Sequence, residues 1–252
     1  MYRPRIIPVL LLRSGGLVKS VKFKNYRYIG DPINAVRIFN DLKADELSLL
    51  DIAATKEKRL ISLNLVKSIG EEANMPFSVG GGIKLLEDIR KIIMVGAEKV
   101  VLNTVAGENP DFIREAALEF GSSTIVVCLD VKKYRGKRCV WIKGGTKATK
   151  MSPLEYARRM EELGAGELII QSIDRDGTMA GYDVALIKEV SERVSIPITA
   201  LGGAGSLEHM QQLLKSTVVN GLAAGSLFIY HGQRRAVLVN YPDRQEIEKI
   251  VS

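Results

Sequence analysis

Pro76-Phe-Ser-Val-Gly-Gly-Gly82 and Pro197-Ile-Thr-Ala-Leu-Gly-Gly203 follow one pattern: a proline, a short run of strand-forming residues, then glycines. They lie 121 residues apart, and Ala44-Asp-Glu-Leu47 and Ala165-Gly-Glu-Leu168 repeat at the same offset. A self-similarity at half the chain length predicts a duplicated half-unit, with halves of about 1–122 and 123–252. Working outward from these stretches, β-rich runs fall at Arg5–Leu12, Glu46–Asp51, Phe77–Val79, Lys99–Leu102, Thr124–Val131, Glu167–Ser172, Ile198–Leu201 and 220–224. Between them run amphipathic segments at Ile33–Leu42, Leu60–Ala73, Leu85–Val95, Asp111–Phe120, Pro153–Leu163, Val184–Val194 and Leu207–Leu214. Asp31-Pro32, Asn109-Pro110 and Ser152-Pro153 each set a cap residue before a proline at the first helical position. Eight strands alternating with helices predict a parallel sheet, and eight is the number that closes a barrel. The expected fold is a single α/β domain spanning 1–252, a (β/α)8 TIM barrel built from two half-barrels.

Composition is consistent with this. At 252 residues the chain has the usual length of one such barrel. Its longest apolar run, Ile6 to Leu12, is broken by Pro8 and falls far below the ~20 residues of a membrane-spanning helix. Arg3 and Arg5 lead into that run without a cleavage pattern, so a cytoplasmic location without membrane insertion is expected. Cys128 and Cys139 lie in strand-like runs without metal-ligand spacing, which predicts buried thiols in a reducing compartment and neither a metal nor a cofactor.

The net charge of +7 is unevenly distributed. Arg13, Lys19, Lys22, Lys24 and Arg27 follow strand 1 with no acid among them, and eight further cations lie between Val131 and Lys150, again with no acid. These two segments carry +13, which leaves the rest of the chain net acidic. In a barrel both segments are loops at the C-terminal face, where active sites are built. A basic pocket of this kind selects a phosphorylated or nucleotide-linked small molecule. Nucleic acid is disfavoured because no aromatic stacking series accompanies the charges.

Glycine turns after strands 3 and 7 let backbone N–H groups approach an anion. Asn103-Thr104 and Gly225-Ser226, after strands 4 and 8, add hydroxyls beside them. The residues expected to bind phosphate or substrate are Gly82, Asn103, Thr104, Asp176, Gly177, Gly203, Gly225, Ser226 and Asp51. Glycines at strand-to-helix turns also occur for steric reasons alone.

Arg5-Ile-Ile-Pro8, Leu50-Asp51-Ile52, Val79-Gly-Gly-Gly-Ile83, Phe120-Gly-Ser122, Asp174-Arg-Asp-Gly-Thr178 and Gly202-Gly-Ala-Gly205 together resemble HisF, the cyclase subunit family of imidazole glycerol phosphate synthase. The resemblance runs over about residues 3 to 230, and the tail 231–252 falls outside it. It implies an enzyme subunit whose catalytic carboxylates end strands 1 and 5. Asp130 fills the strand-5 position, but the strand-1 position is Leu11, which cannot carry a proton. Lys19 matches a loop lysine that the family uses beside them. Arg5, Glu46, Lys99 and Glu167 match the four residues that gate an ammonia tunnel from a docked HisH glutaminase, although a salt-bridge plug would use the same residues.

A barrel that keeps the gate and phosphate turns but lacks the strand-1 acid is similar to HisF paralogues of surface-polysaccharide pathways, including O-antigen and lipopolysaccharide biosynthesis. There an N-acetyl group on a nucleotide-activated sugar becomes an acetamidino group, with an ATP-using amidating partner. The alternatives are the histidine-biosynthesis cyclase, a phosphosugar isomerase, which also uses two aspartates, and a non-catalytic ammonia-conducting scaffold.

Overall fold

A computed structural model describes residues 3–232 and 234–251. Eight parallel strands form the barrel wall: β1 (Arg5–Arg13), β2 (Leu47–Asp51), β3 (Phe77–Gly80), β4 (Lys99–Leu102), β5 (Ile125–Tyr134), β6 (Glu167–Ser172), β7 (Ile198–Leu201) and β8 (Gly221–Ala224). Each pairs with its sequence neighbour, and β8 closes on β1 through Arg5↔Gly221 to Pro8↔Ala224. The fold is the expected (β/α)8 barrel.

Side chains alternate across each strand, and this separates two apolar regions. Outward-facing residues such as Leu10, Leu49, Val79, Val127 and Leu168 meet the helices in one continuous core. Inward-facing Ile7, Val9, Val101, Val126, Cys128, Ile169, Leu201 and Ala223 fill the lumen, with Leu11 and Leu50 packed above them. The strands read as unbroken hydrophobic runs because both faces are buried.

Two of the three cap-proline signals work as expected. Asp31 accepts from Asn34 N with Pro32 opening the helix Pro32–Asp41, and Ser152 accepts from Glu155 N with Pro153 opening Pro153–Glu162. Asn109 instead closes an additional short helix, Thr104–Glu108, donating its amide to Val105 O, and Pro110 leads into Asp111–Phe120. The segment expected to be helical from Leu60 begins at Leu63, where Ser62 caps it.

The two basic segments are not irregular loops. The first is a β-meander, Gly16–Val21 and Lys24–Gly30, that extends β1, and the second carries Lys137–Ile142 and Lys147–Ala148 out from β5. Their tight reversals are two-residue turns with both central residues at positive φ: Ser14-Gly15, Lys22-Phe23 and Arg135-Gly136. That geometry matches the twist of the paired strands, and Ser-Gly and Arg-Gly were the sequence signals for it.

The tail adds a small hairpin, Tyr230–His231 with Ala236–Val237, and a helix, Arg244–Val251. Tyr241 crosses back under the barrel, where its hydroxyl accepts from Asp45 N at 3.1 Å and donates to Ile6 O at 3.0 Å. Its ring packs between Phe39 and Phe228.

Candidate active site

Asp130 lies at the upper end of the lumen-facing row of β5, two residues above Cys128, whose thiol donates to its carboxylate at 3.6 Å. Burial pushes the Asp130 carboxyl up to about 7, and the nearby charge of Asp176 acts in the same direction against the thiol bond. A carboxyl balanced at this value exchanges protons in both directions near neutral pH. Burial, and then the charge of Asp130, push the Cys128 thiol well above its ordinary value, so it stays protonated as a donor.

Leu11 stands where β1 would have supplied a second carboxylate, packed on the lumen cluster with Leu50. A further, half-buried carboxylate comes to the mouth from the loop after β6. Asp176 accepts from Gln171 Nε2 at 3.1 Å and from Ser20 Oγ at 3.3 Å. Its carboxyl is raised by burial, opposed by Lys19 and these two hydrogen bonds. Lys19 is fully buried, and burial brings its ammonium down to about 8 despite the charge of Asp176. Its Nζ donates to Val9 O at 2.6 Å and lies against Gly225 at the end of β8. The charge of Asp176 therefore acts on both Lys19 and Asp130.

Gln171 was not anticipated. It pairs in register with Asp130, and its Oε1 is buried without a partner among the described residues while its amide serves Asp176. The alternation Glu167, Ile169, Gln171 already put it on the lumen face, which is the signal that could have found it.

The other expected residues divide by what occupies them. Gly82 and Gly203 have φ of 74° and 105° with no space for a Cβ, against Arg59 O and Gly181 O, and Gly177 fits against Ser20 O in the same way. Only glycine is accommodated at these turns. Asn103 donates to Cys128 O at 3.0 Å and Trp141 O at 3.3 Å, tying β4 to β5 and its hairpin. Thr104 Oγ1 accepts from Lys143 N at 3.1 Å. Ser226 is buried in the single turn Ser226–Phe228. Asp51 is occupied by its own turn, bonded to Arg59 at 2.6 Å and to the amides of Ala53 and Ala54. The thirteen cations are only partly free: Lys143 and Lys147 pair with Glu108, and Arg138 pairs with Asp183 and Glu189.

At the opposite end, Arg5 bridges Glu46 and Glu167, and Lys99 reaches the same two carboxylates at 3.3 and 3.0 Å. Thr199 Oγ1 adds a 2.6 Å bond to Glu167. Burial pushes the Glu167 carboxyl up, but the bonds and charges of Arg5 and Lys99 outweigh it and leave the group below its ordinary value. Two cations and two anions thus close the lumen floor, and Ser48 Oγ, facing the space above them, lacks a partner among the described residues.

A closed (β/α)8 barrel with buried ionisable groups at its C-terminal mouth defines this chain as an enzyme subunit of the barrel class. Residues 5–235 match the model of the histidine biosynthesis protein family. A relative from Leptospira borgpetersenii, provisionally named imidazole glycerol phosphate synthase subunit HisF, is 48% identical over 252 residues and 99% of each chain. A Pseudomonas aeruginosa relative, provisionally named subunit hisF2, is 46% identical over 98% of this chain and 99% of its own. A HisF subunit of Alkaliphilus metalliredigens is 43% identical over 92% of each. The chain belongs to the histidine biosynthesis protein family and is a HisF-like enzyme subunit within it.

Proposed function

We propose that this HisF-like subunit receives ammonia from a HisH-type glutaminase at its N-terminal face and delivers it for acetamidino modification of a nucleotide-activated N-acetyl sugar in surface-polysaccharide synthesis. The observation that carries this reading is Leu11, a lumen-lining hydrocarbon where the cyclase family holds its second catalytic carboxylate. Arg5, Glu46, Lys99 and Glu167 act as the gate, and the glycine turns at Gly82, Gly177, Gly203 and Gly225 hold the anionic parts of the substrate. Three relatives with provisional names share 98–99% of the chain, tail included, whereas two plainly named HisF subunits align over 91–92%. That division supports a separate role.

The chemistry needs one proton acceptor. An ATP-using partner phosphorylates the amide oxygen, ammonia adds to the activated carbon, and phosphate leaves with the former carbonyl oxygen. Asp130 takes the proton that the attacking nitrogen loses, which suits a carboxyl of pKa about 7. Lys19 offsets negative charge at the mouth. A cyclisation that requires a separate general acid and base loses about 10²–10⁴ in rate without one of them.

The histidine-pathway cyclase is the second reading, favoured by Asp176, a half-buried carboxyl whose charge acts on Asp130. Protein, glutaminase, amide-labelled glutamine, ATP-using partner and a UDP-linked diacetamido sugar, followed by mass spectrometry, separate the two. Exchange of one oxygen for a labelled NH, dependent on this chain, is the expected result. Conversion of the imidazole precursor with ammonia would overturn the proposal, and undiminished product from Asp130→Ala would reduce the chain to a conduit.

A further inference from the structure

A cleft of about 790 Å³ lies outside the lumen, on the far side of the β5–β6 rim between the β5 hairpin and the loop from Asp174 to Asp183. Asp130 and Gln171 face inward, and the next residues, Val131 and Ser172, line this cleft. It therefore stands back to back with the mouth across one layer of strand. The loop that places Asp176 in the mouth also places Arg175 and Thr178 in the cleft.

Its walls are strongly cationic. Lys22, Lys132, Lys133, Arg138 and Arg175 line it, against the carboxylates of Asp174 and Asp183. Arg138 is neutralised by Asp183 at 2.8 Å and Glu189 at 3.6 Å. Arg175 Nη1 donates to the carbonyls of Ala180 and Gly181, which fixes its guanidinium in place without cancelling its charge. Among the described residues no ion pair holds Lys22, Lys132 or Lys133. Four cations then face the single carboxylate of Asp174, inside a concavity that concentrates their field. Val184 and Ala185, the first residues of the helix Val184–Ser191, also border the cleft, and their amides have no acceptor within the helix.

We infer that this cleft binds the diphosphate of a nucleoside diphosphate. The charge surplus matches a dianion or trianion, and the volume is that of a small-molecule site. A single phosphate would leave most of the cleft unfilled. Single-stranded nucleic acid would need rings to stack on, and the lining ring, Tyr182, is buried with its hydroxyl donating to Ala223 O at 3.0 Å. The site adjoins the glycine turns at Gly177, which lies between Arg175 and Thr178, and at Gly203, which lies against Arg175, and it rests on the proposed function only for what the nucleotide carries. A nucleotide-linked sugar seated here would extend over the rim toward Asp130.

Trp141, the single tryptophan of the chain, supplies a reporter, because Lys132 Nζ sits over its ring at 5.2 Å. Full-length protein is titrated with UDP, ADP, pyrophosphate and inorganic phosphate while tryptophan fluorescence and heat are followed. UDP and ADP are expected to bind with Kd on the order of 10–100 µM and to change the Trp141 signal. The Lys132→Ala/Lys133→Ala double variant should weaken this at least ~10-fold, Lys22→Ala by a few-fold, and higher salt should weaken it further. Unchanged melting of these exposed variants shows that folding is intact. No binding of UDP or ADP at millimolar concentration, binding unaffected by the lysine substitutions, or phosphate binding as tightly as UDP would each overturn the inference. Nucleotide binding here without amidine formation would leave the inference standing and remove the proposed substrate.

Discussion

Replacing Asp130 with asparagine should stabilise the protein at alkaline pH and do little in acid. Burial moves this carboxyl from 3.8 to about 7, so between those values the folded chain holds a proton that the unfolded chain has released. Stability therefore falls as pH rises through that window, and the full penalty stands above about 7. At about 1.4 kcal/mol per pH unit, the window caps the penalty at roughly 4 kcal/mol. Local rearrangement around the charged form takes up part of this, so about 2 kcal/mol is the expected gain from Asp130→Asn near pH 8, falling to roughly 1 kcal/mol near pH 5 and toward zero only below about pH 4. Lys19 does not confuse the measurement. Its folded pKa is depressed from 10.5 to about 8, so its contribution falls as pH drops between those values and is constant below them. Asp176 has the same sign as Asp130 and is present in both proteins. The new amide also has an acceptor at hand in the unpartnered Gln171 Oε1, one strand away in register. Urea unfolding of both proteins at about pH 5 and about pH 8 measures the effect. A variant equally stable relative to the parent at both pH values, or less stable at the higher one, would refute the account of Asp130 as a buried carboxyl held near neutrality.

Lys99→Met removes one of two cations shared by Glu46 and Glu167, and about 2–4 kcal/mol of stability should go with it. With a glutaminase partner, glutamine-driven product formation should drop relative to ammonia-driven formation. Tyr241→Phe keeps the ring packing but leaves Ile6 O and Asp45 N without the hydroxyl, which should cost about 1–3 kcal/mol in urea unfolding. Gly82→Ala forces a Cβ against Arg59 O at a φ of 74°, and the strain of about 1–3 kcal/mol should appear as a lower melting temperature.

The barrel was legible because both faces of its strands are apolar and the intervening segments have helical periodicity. Every barrel strand except β5 falls within one residue of its expected limits, and β5 runs three residues further, to Tyr134. The hairpins were missed because charge dominated their interpretation, while the turn pairs Ser14-Gly15 and Arg135-Gly136 carried the relevant signal. Asp130, Leu11 and the four-residue ring could be located from strand ends alone. What the sequence could not supply was coupling between distant segments. Asp176 reaches Lys19 and Asp130 only because a loop folds over the mouth, and Arg138 loses its charge to Asp183 and Glu189, 45 and 51 residues further along the chain. The tail had no motif to read, and its anchoring by Tyr241 depends on backbone groups, which are the same in every sequence.

That anchor sets the order in which the molecule can be completed. Tyr241 bonds to Ile6 across 235 positions, and β8 closes on the same strand. During synthesis β1 must therefore wait with one edge unsatisfied until β8 has left the ribosome. Because an open strand edge invites pairing with another chain, a nascent chain stalled before β8 should be where this protein is most prone to aggregate.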